Sequence, residues 1–161
     1  MRPVVLFAVA ALSLGAVQTA AAASIGPVSE IRISFGRDVE NKPRVFGARE
    51  RERLDKELRG EVEKAIGGLK EGGGVLDLVI EDVKQNRPTW TQMSFEPGLS
   101  YFHSFGVGGA KIVGTYTAAS GATTNVGYSW YETDIRNTWY LTEWHDADRT
   151  FARFAKRLTE G

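Results

Sequence analysis

The sequence predicts an α+β domain, a two-layer sandwich in which a mixed sheet of about four strands carries two helices on one face. Three observations point there. Residues 109–133 hold two runs of alternating apolar and polar side chains that turn back at Ser120-Gly121, the pattern of an antiparallel hairpin. Residues 46–69 and 142–158 space their apolar side chains three or four apart, as amphipathic helices do. The order is β-α-β, a long irregular connection with room for a short strand, then β-β-α. Two helices are too few to clothe both faces of such a sheet. One face is therefore expected to carry Ile33, Leu78, Ile112, Tyr128 and Trp130 under the helices. The other, with Arg32, Asp77, Glu81, Lys111, Thr115 and Asn125, is expected to meet water.

The chain begins with Met1-Arg2, an apolar run from Val4 to Val17, and Ala21-Ala22-Ala23 ahead of Ser24. That is the three-part pattern of a secretory signal peptide cut near Ala23. A membrane-spanning helix needs about 20 strongly apolar residues, whereas this run is shorter and gives way to Gln18 and Thr19. The expectation is a leader over 1–23 and a single domain over 24–161, periplasmic or secreted, with no membrane span after cleavage. None of the 161 residues is cysteine, which excludes disulfides and leaves the fold to its core. It also removes the residue that a bacterial lipoprotein acylates. Basic and acidic residues balance at 20 each, and loss of Arg2 with the leader leaves 19 against 20, a net of −1. Nucleic-acid binders usually show a basic excess, so that partner class is not expected.

Taken in order, Ile31, Ile33 and Phe35 alternate with Arg32 and Ser34 in a strand over 28–35, and residues 36–43 read as a polar loop. Leu54, Leu58, Val62, Ile66 and Leu69 then form the stripe of the first long helix. Its start reads Arg-Glu-Arg-Glu-Arg over 49–53, a mixed-charge run expected to be a solvated face, with Glu52–Lys56 and Asp55–Arg59 spaced as favourable pairs. Gly67-Gly68 and Gly72-Gly73-Gly74 end it, ahead of a strand over 75–83. That glycine run follows a helix and precedes a strand, the reverse of a phosphate-cradling loop. Residues 134–141 read as a link after the hairpin. In the last helix Thr142 is the expected N-cap, Trp144, Ala147, Phe151, Phe154, Ala155 and Leu158 form the stripe, and Arg153, Lys156 and Arg157 suit the C-terminal end of the dipole.

Catalytic spacing is sparse. His103 and His145 are the two imidazoles, and no H-x-x-x-H or H-E-x-x-H is present. Glu143, His145, Asp146 and Asp148 are rich in ligand types but point in several directions on a helix. No G-x-S-x-G occurs, although Ser100 and Ser104 flank His103. Glu132 with Asp134, and Asp77 with Glu81, each share a strand face, as do many ordinary surface acids. No metal, cofactor or catalytic residue is assigned. What stands out is residues 84–107, a long connection carrying Trp90, Phe95, Tyr101, Phe102, His103 and Phe105. These side chains either cap the core or form a solvent-facing surface for another envelope protein or a small apolar ligand.

Residues 78–89 (LVIEDVKQNRPT), 97–100 (PGLS), 105–110 (FGVGGA) and 128–134 (YSWYETD), followed by an aromatic-rich last helix, resemble uncharacterised secreted domains of Gram-negative bacteria. These are small envelope proteins and lipoproteins of unknown function, in β-α-β-β-α order. The resemblance spans residues 28–158 and implies an envelope location but transfers no catalytic residue. The missing acylated cysteine sets this chain apart from the lipoprotein members. The expected function is thus a non-enzymatic envelope protein that binds through loop 84–107. A small secreted hydrolase using His103 with Ser100 or Ser104, or a structural module pairing strand edges, are the alternatives.

Overall fold

The computed structural model describes residues 24–160; the expected leader over 1–23 lies outside them. Four strands, β1 (Val28–Phe35), β2 (Gly74–Lys84), β3 (Gly109–Thr117) and β4 (Thr123–Tyr131), form one sheet in the order β1-β2-β3-β4. β1 and β2 are parallel, joined by the long helix α2 (Ala48–Ala65), and the other pairs are antiparallel. The last helix, α4 (His145–Glu160), packs beside α2 on the same face. This is the expected two-layer sandwich in β-α-β-β-β-α order. Short helices α1 (Arg37–Glu40) and α3 (Trp90–Phe95) and a 3-10 turn (Ile135–Asn137) lie in the connections. Among the described residues, no helix is long and apolar enough to cross a membrane.

Register explains the core. Phe35, Ile80, Ile112 and Tyr128 align across the four strands, and Ile33, Leu78, Gly114 and Val126 form the next row. Leu54, Leu58 and Val62 of α2 and Ala147, Phe151, Phe154, Ala155 and Leu158 of α4 cover these rows. A bulge at Glu81 resets the alternation, so Ile80 and Val83, three apart, both face inward. The opposite face carries the expected charges, paired as Arg32–Glu30, Arg32–Asp77 and Lys111–Glu81.

Several local expectations need correction. α2 ends at Ala65 because Gly67 and Gly68 take positive φ and close a Schellman motif, Gly68 N–H donating to Glu63 O and Gly67 N–H to Lys64 O. Leu69 falls beyond that stop and is exposed. The charged run at 49–53 is only partly solvated, since Glu50 is buried and Arg53 forms a two-pronged pair with Asp148 at 2.7 Å, bolting α2 to α4. Tyr128 and Trp130 are half-buried beneath arginines: Arg157 lies 4.7 Å from the Tyr128 ring, and Arg153 and Arg149 lie 4.3 and 5.1 Å from Trp130. Arginines four residues apart on one helix face thus complete the cover over edge strand β4. Finally, Thr142 does not cap α4, which begins at His145. Its cap comes from across the fold, as described next.

Candidate functional site

Three buried polar residues just after β2 fix the end of the sandwich where the strand β2, the long loop and α4 meet. Asn86 is fully satisfied. Its side-chain oxygen accepts from Asp146 N–H at 3.0 Å, and its amide nitrogen donates to Asp146 Oδ2 at 2.5 Å and to Gly106 O at 3.1 Å. Its backbone bonds Glu143 O and Gly106 N–H. Asn86 therefore caps α4 from a residue 60 positions away. Gly108 N–H adds a bond to Asp146 Oδ2 at 3.1 Å, and a Cβ on Gly108 would stand 2.7 Å from the Asn86 side-chain oxygen. Gly109 beside it has φ +148°, backbone that favours glycine.

Arg87 is the second bolt. Its guanidinium donates to Leu141 O and Tyr101 O at 2.7 Å each, to Phe102 O at 3.3 Å and to Trp139 O, with the rings of Tyr101 and Phe105 5.5 and 5.8 Å away. No carboxylate pairs with it among the described residues. One buried cation thus gathers carbonyls from two separate loops, 84–107 and 134–144. Thr89, the third, donates to Val45 O at 2.9 Å and caps α3 by accepting Gln92 N–H at 2.9 Å.

The backbones of both loops are pinned inward, and their large side chains face out. Phe102 is 78% exposed, Trp90, Trp139 and Tyr140 64% each, Phe95 57% and Phe105 42%. Carbonyls of Phe102 and Trp139 meet the same guanidinium, which ties the backbones of the two loops together at this end. Neighbouring rings stack edge-on, Tyr101 with Phe102 and Trp139 with Tyr140. Four of the expected site residues, Trp90, Phe95, Phe102 and Phe105, are therefore solvent-facing rather than core. Tyr101 is half-buried under Arg87. His103 is exposed, and its Nδ1 lies 3.1 Å from Ser100 Oγ. No carboxylate bonds the other ring nitrogen among the described residues, so the constellation stops at two members. Trp139 and Tyr140 lie in the segment that reads as a mere link. Their signal was an aromatic pair in a polar stretch with no alternation to carry it into the core.

The acidic candidates have local employment. Glu132 accepts the amides of Thr133 and Asp134, which hold its carboxyl below the usual range, and Asp134 is held low by Arg136. Asp77 and Glu81 pair with Arg32 and Lys111. Among the described residues, no group of three acids or histidines is placed to hold a metal.

Beside the aromatic end, the start of α2 and the segment before α4 enclose a cleft lined by Arg49, Glu50, Arg53, Trp90, Glu143 and Trp144. Glu50 accepts from Thr91 Oγ at 2.8 and 2.9 Å and from Thr91 N–H at 3.3 Å. Glu143 has its carboxyl pushed up to about 7, first by desolvation and then by the negative charge of Glu50, against the opposing pull of Arg53.

No protein-family model matches this chain, and no curated protein matches it. Among solved structures, a minor lipoprotein from Acinetobacter baumannii overlaps 81% of this chain and 88% of its own at 9% identity, with a TM-score of 0.26. At that score the overlap does not establish a common fold and bears on nothing else.

Proposed function

We propose that this chain is a non-enzymatic protein of the bacterial envelope that binds a partner protein through its aromatic end. The observation that carries the reading is the concentration of Phe102, Phe105, Trp139 and Tyr140 in solvent on two loops locked by Arg87. Large exposed aromatic clusters are expensive to leave in water and mark contact surfaces, where Trp and Tyr supply most of the energy. Locking the backbones in advance lowers the ordering cost of association. The leader pattern over 1–23 supports the envelope location. A partner surface suits this end better than a small apolar ligand does. The hollow between Gln85–Pro88 and Ser104–Gly106 holds about 180 Å³, below the range of roughly 300–1,000 Å³ that encloses a drug-sized molecule.

Chemical crosslinking in native cells tests this reading. The wild-type protein should retain a discrete partner that Phe102→Ala/Trp139→Ala loses while melting within a few degrees of wild type. Retention of the partner by the double variant sinks the proposal. The contact between Ser100 and His103 favours one second reading, a small hydrolase. Any hydrolytic activity that survives His103→Ala removes it.

A further inference from the structure

The cleft beside α3 has walls of two kinds. Trp90 contributes an exposed indole and Trp144 a largely buried one, while Glu50, Glu143, Arg49 and Arg53 contribute charge. The charges do not cancel. Arg53 is taken up by Asp148 through two bonds of 2.7 Å. Glu50, 5% exposed, is bonded only to the uncharged Thr91, and neither Glu50 nor Glu143 forms an ion pair among the described residues. Above about pH 7, where Glu143 is ionised, two acids therefore face one remaining cation, Arg49, and the cleft carries a surplus negative charge next to the Trp90 indole. Carboxylates with tryptophan faces are the surroundings that an alkylammonium group prefers, since the ring quadrupole and the acids both attract it. A hard metal ion would instead require a cage of oxygen ligands, and no three-ligand group is present among the described residues. The volume, about 220 Å³, admits a compact headgroup rather than a chain.

We propose that this cleft binds an organic ammonium ion, with Glu143 as its counter-ion and the Trp90 indole as a wall. Trp90 and Glu143 lie on the two loops that carry the aromatic end, but the cleft includes neither Phe102 nor Trp139, so the two readings can fail separately. The charged groups facing Glu143 are Glu50, Arg53 and Arg49. A bound cation favours the ionised carboxylate against both the desolvation and the Glu50 repulsion that keep Glu143 protonated up to about pH 7, and so expels that proton. If only the ionised form binds, apparent affinity grows about tenfold from pH 6 to pH 8.

Choline and its uncharged carbon isostere, 3,3-dimethylbutan-1-ol, are the probes, followed by tryptophan fluorescence and by calorimetry in buffers of different ionisation enthalpy. Choline should saturate the cleft, release protons near neutral pH and quench fluorescence, while the alcohol should do none of these. Glu143→Gln, close in shape, should weaken choline at least fivefold at pH 8 and flatten the pH dependence. Trp90→Ala, at an exposed position, should weaken it by about 3- to 30-fold. Equal binding of the neutral isostere, unchanged affinity in Glu143→Gln, or no saturable choline binding overturns the assignment. Phe102→Ala/Trp139→Ala should leave choline affinity unchanged, so failure of the partner surface and failure of the cleft read out separately.

Discussion

Arg87→Met keeps the aliphatic stem of the side chain and deletes the guanidinium that joins the two aromatic loops. Three strong bonds vanish, to Leu141 O, Tyr101 O and Trp139 O, with a longer one to Phe102 O. Hydrogen bonds from a charged donor contribute about 1.5–3 kcal/mol each, so the gross loss is roughly 5–9 kcal/mol. Two effects reduce it. The variant no longer buries a guanidinium that lacks a carboxylate, which recovers several kcal/mol. The released carbonyls, on loops near the surface, also regain water. The net cost should be about 3 kcal/mol, a fall in Tm of roughly 10 °C for a domain of this size. Arg87→Lys should lose most of the same stability, because an ammonium cannot fork across carbonyls from two loops. Urea unfolding gives the global figure, and amide hydrogen exchange should show residues 101–106 and 138–142 opening together. A loss under about 1 kcal/mol, with exchange in both loops unchanged, would refute the role assigned to Arg87.

Other perturbations discriminate between parts of the same account. Glu143 titrates from its ordinary 4.5 to about 7 on folding, so the native state favours its protonated form. The sign follows from linkage: its burden on stability is absent below about pH 4.5, accumulates as pH rises towards 7, and is complete above. The shift corresponds to about 3 kcal/mol, but the group is only partly buried, and solvent screening reduces this to roughly 1–1.5 kcal/mol. Glu143→Gln should therefore stabilise the protein by that amount at pH 8 and by nothing near pH 4, as read from urea midpoints across pH. Asn86→Ala strips the cap of α4 and leaves the buried Asp146 carboxylate short of a donor, so it should cost about 3 kcal/mol by the same assay. Phe102→Ala and Trp139→Ala, each at a solvent-facing ring, should change stability by no more than about 0.5 kcal/mol. A truncated core aromatic would instead lose about 3–5 kcal/mol, so the melting curves decide between surface and core.

What was legible in the sequence is what local periodicity encodes. β1 begins and ends where its alternation does, and the hairpin of β3 and β4 lies within a residue or two of its expected bounds. Apart from Leu69, which falls past the end of α2, the stripes of α2 and α4 give side chains of the core or packed against it. The parts that stayed hidden depend on partners far away in the chain. Glu50 sits in a run that looks solvated on a helix surface, but it is buried because Thr91 meets it from 41 residues further on. Thr142 has the chemistry of an N-cap, yet Asn86 takes the role because the end of β2 delivers it to the first amides of α4. The loop aromatics carried no sign of whether they faced in or out. That was settled by Arg87, which draws the carbonyls of the loops inward and so turns Phe102 and Trp139 towards solvent. A lone arginine after a strand is a weak signal by itself. Its neighbours Asn86 and Thr89, and the pair Gly108-Gly109, are in this fold the fastenings of the aromatic end.

The central claim is that this end of the molecule, rather than the open sheet face or a strand edge, meets a partner. Site-specific photocrosslinking in native cells tests it most directly, with a photoreactive phenylalanine analogue placed singly at positions 102, 139, 69 and 125. Leu69 is an exposed apolar control away from the two loops, and Asn125 lies on the open face of β4. A discrete protein adduct from 102 and 139, with none from 69 or 125, is the expected result. Adducts from 125 but not from 102 or 139 would contradict the claim and move the contact to the sheet.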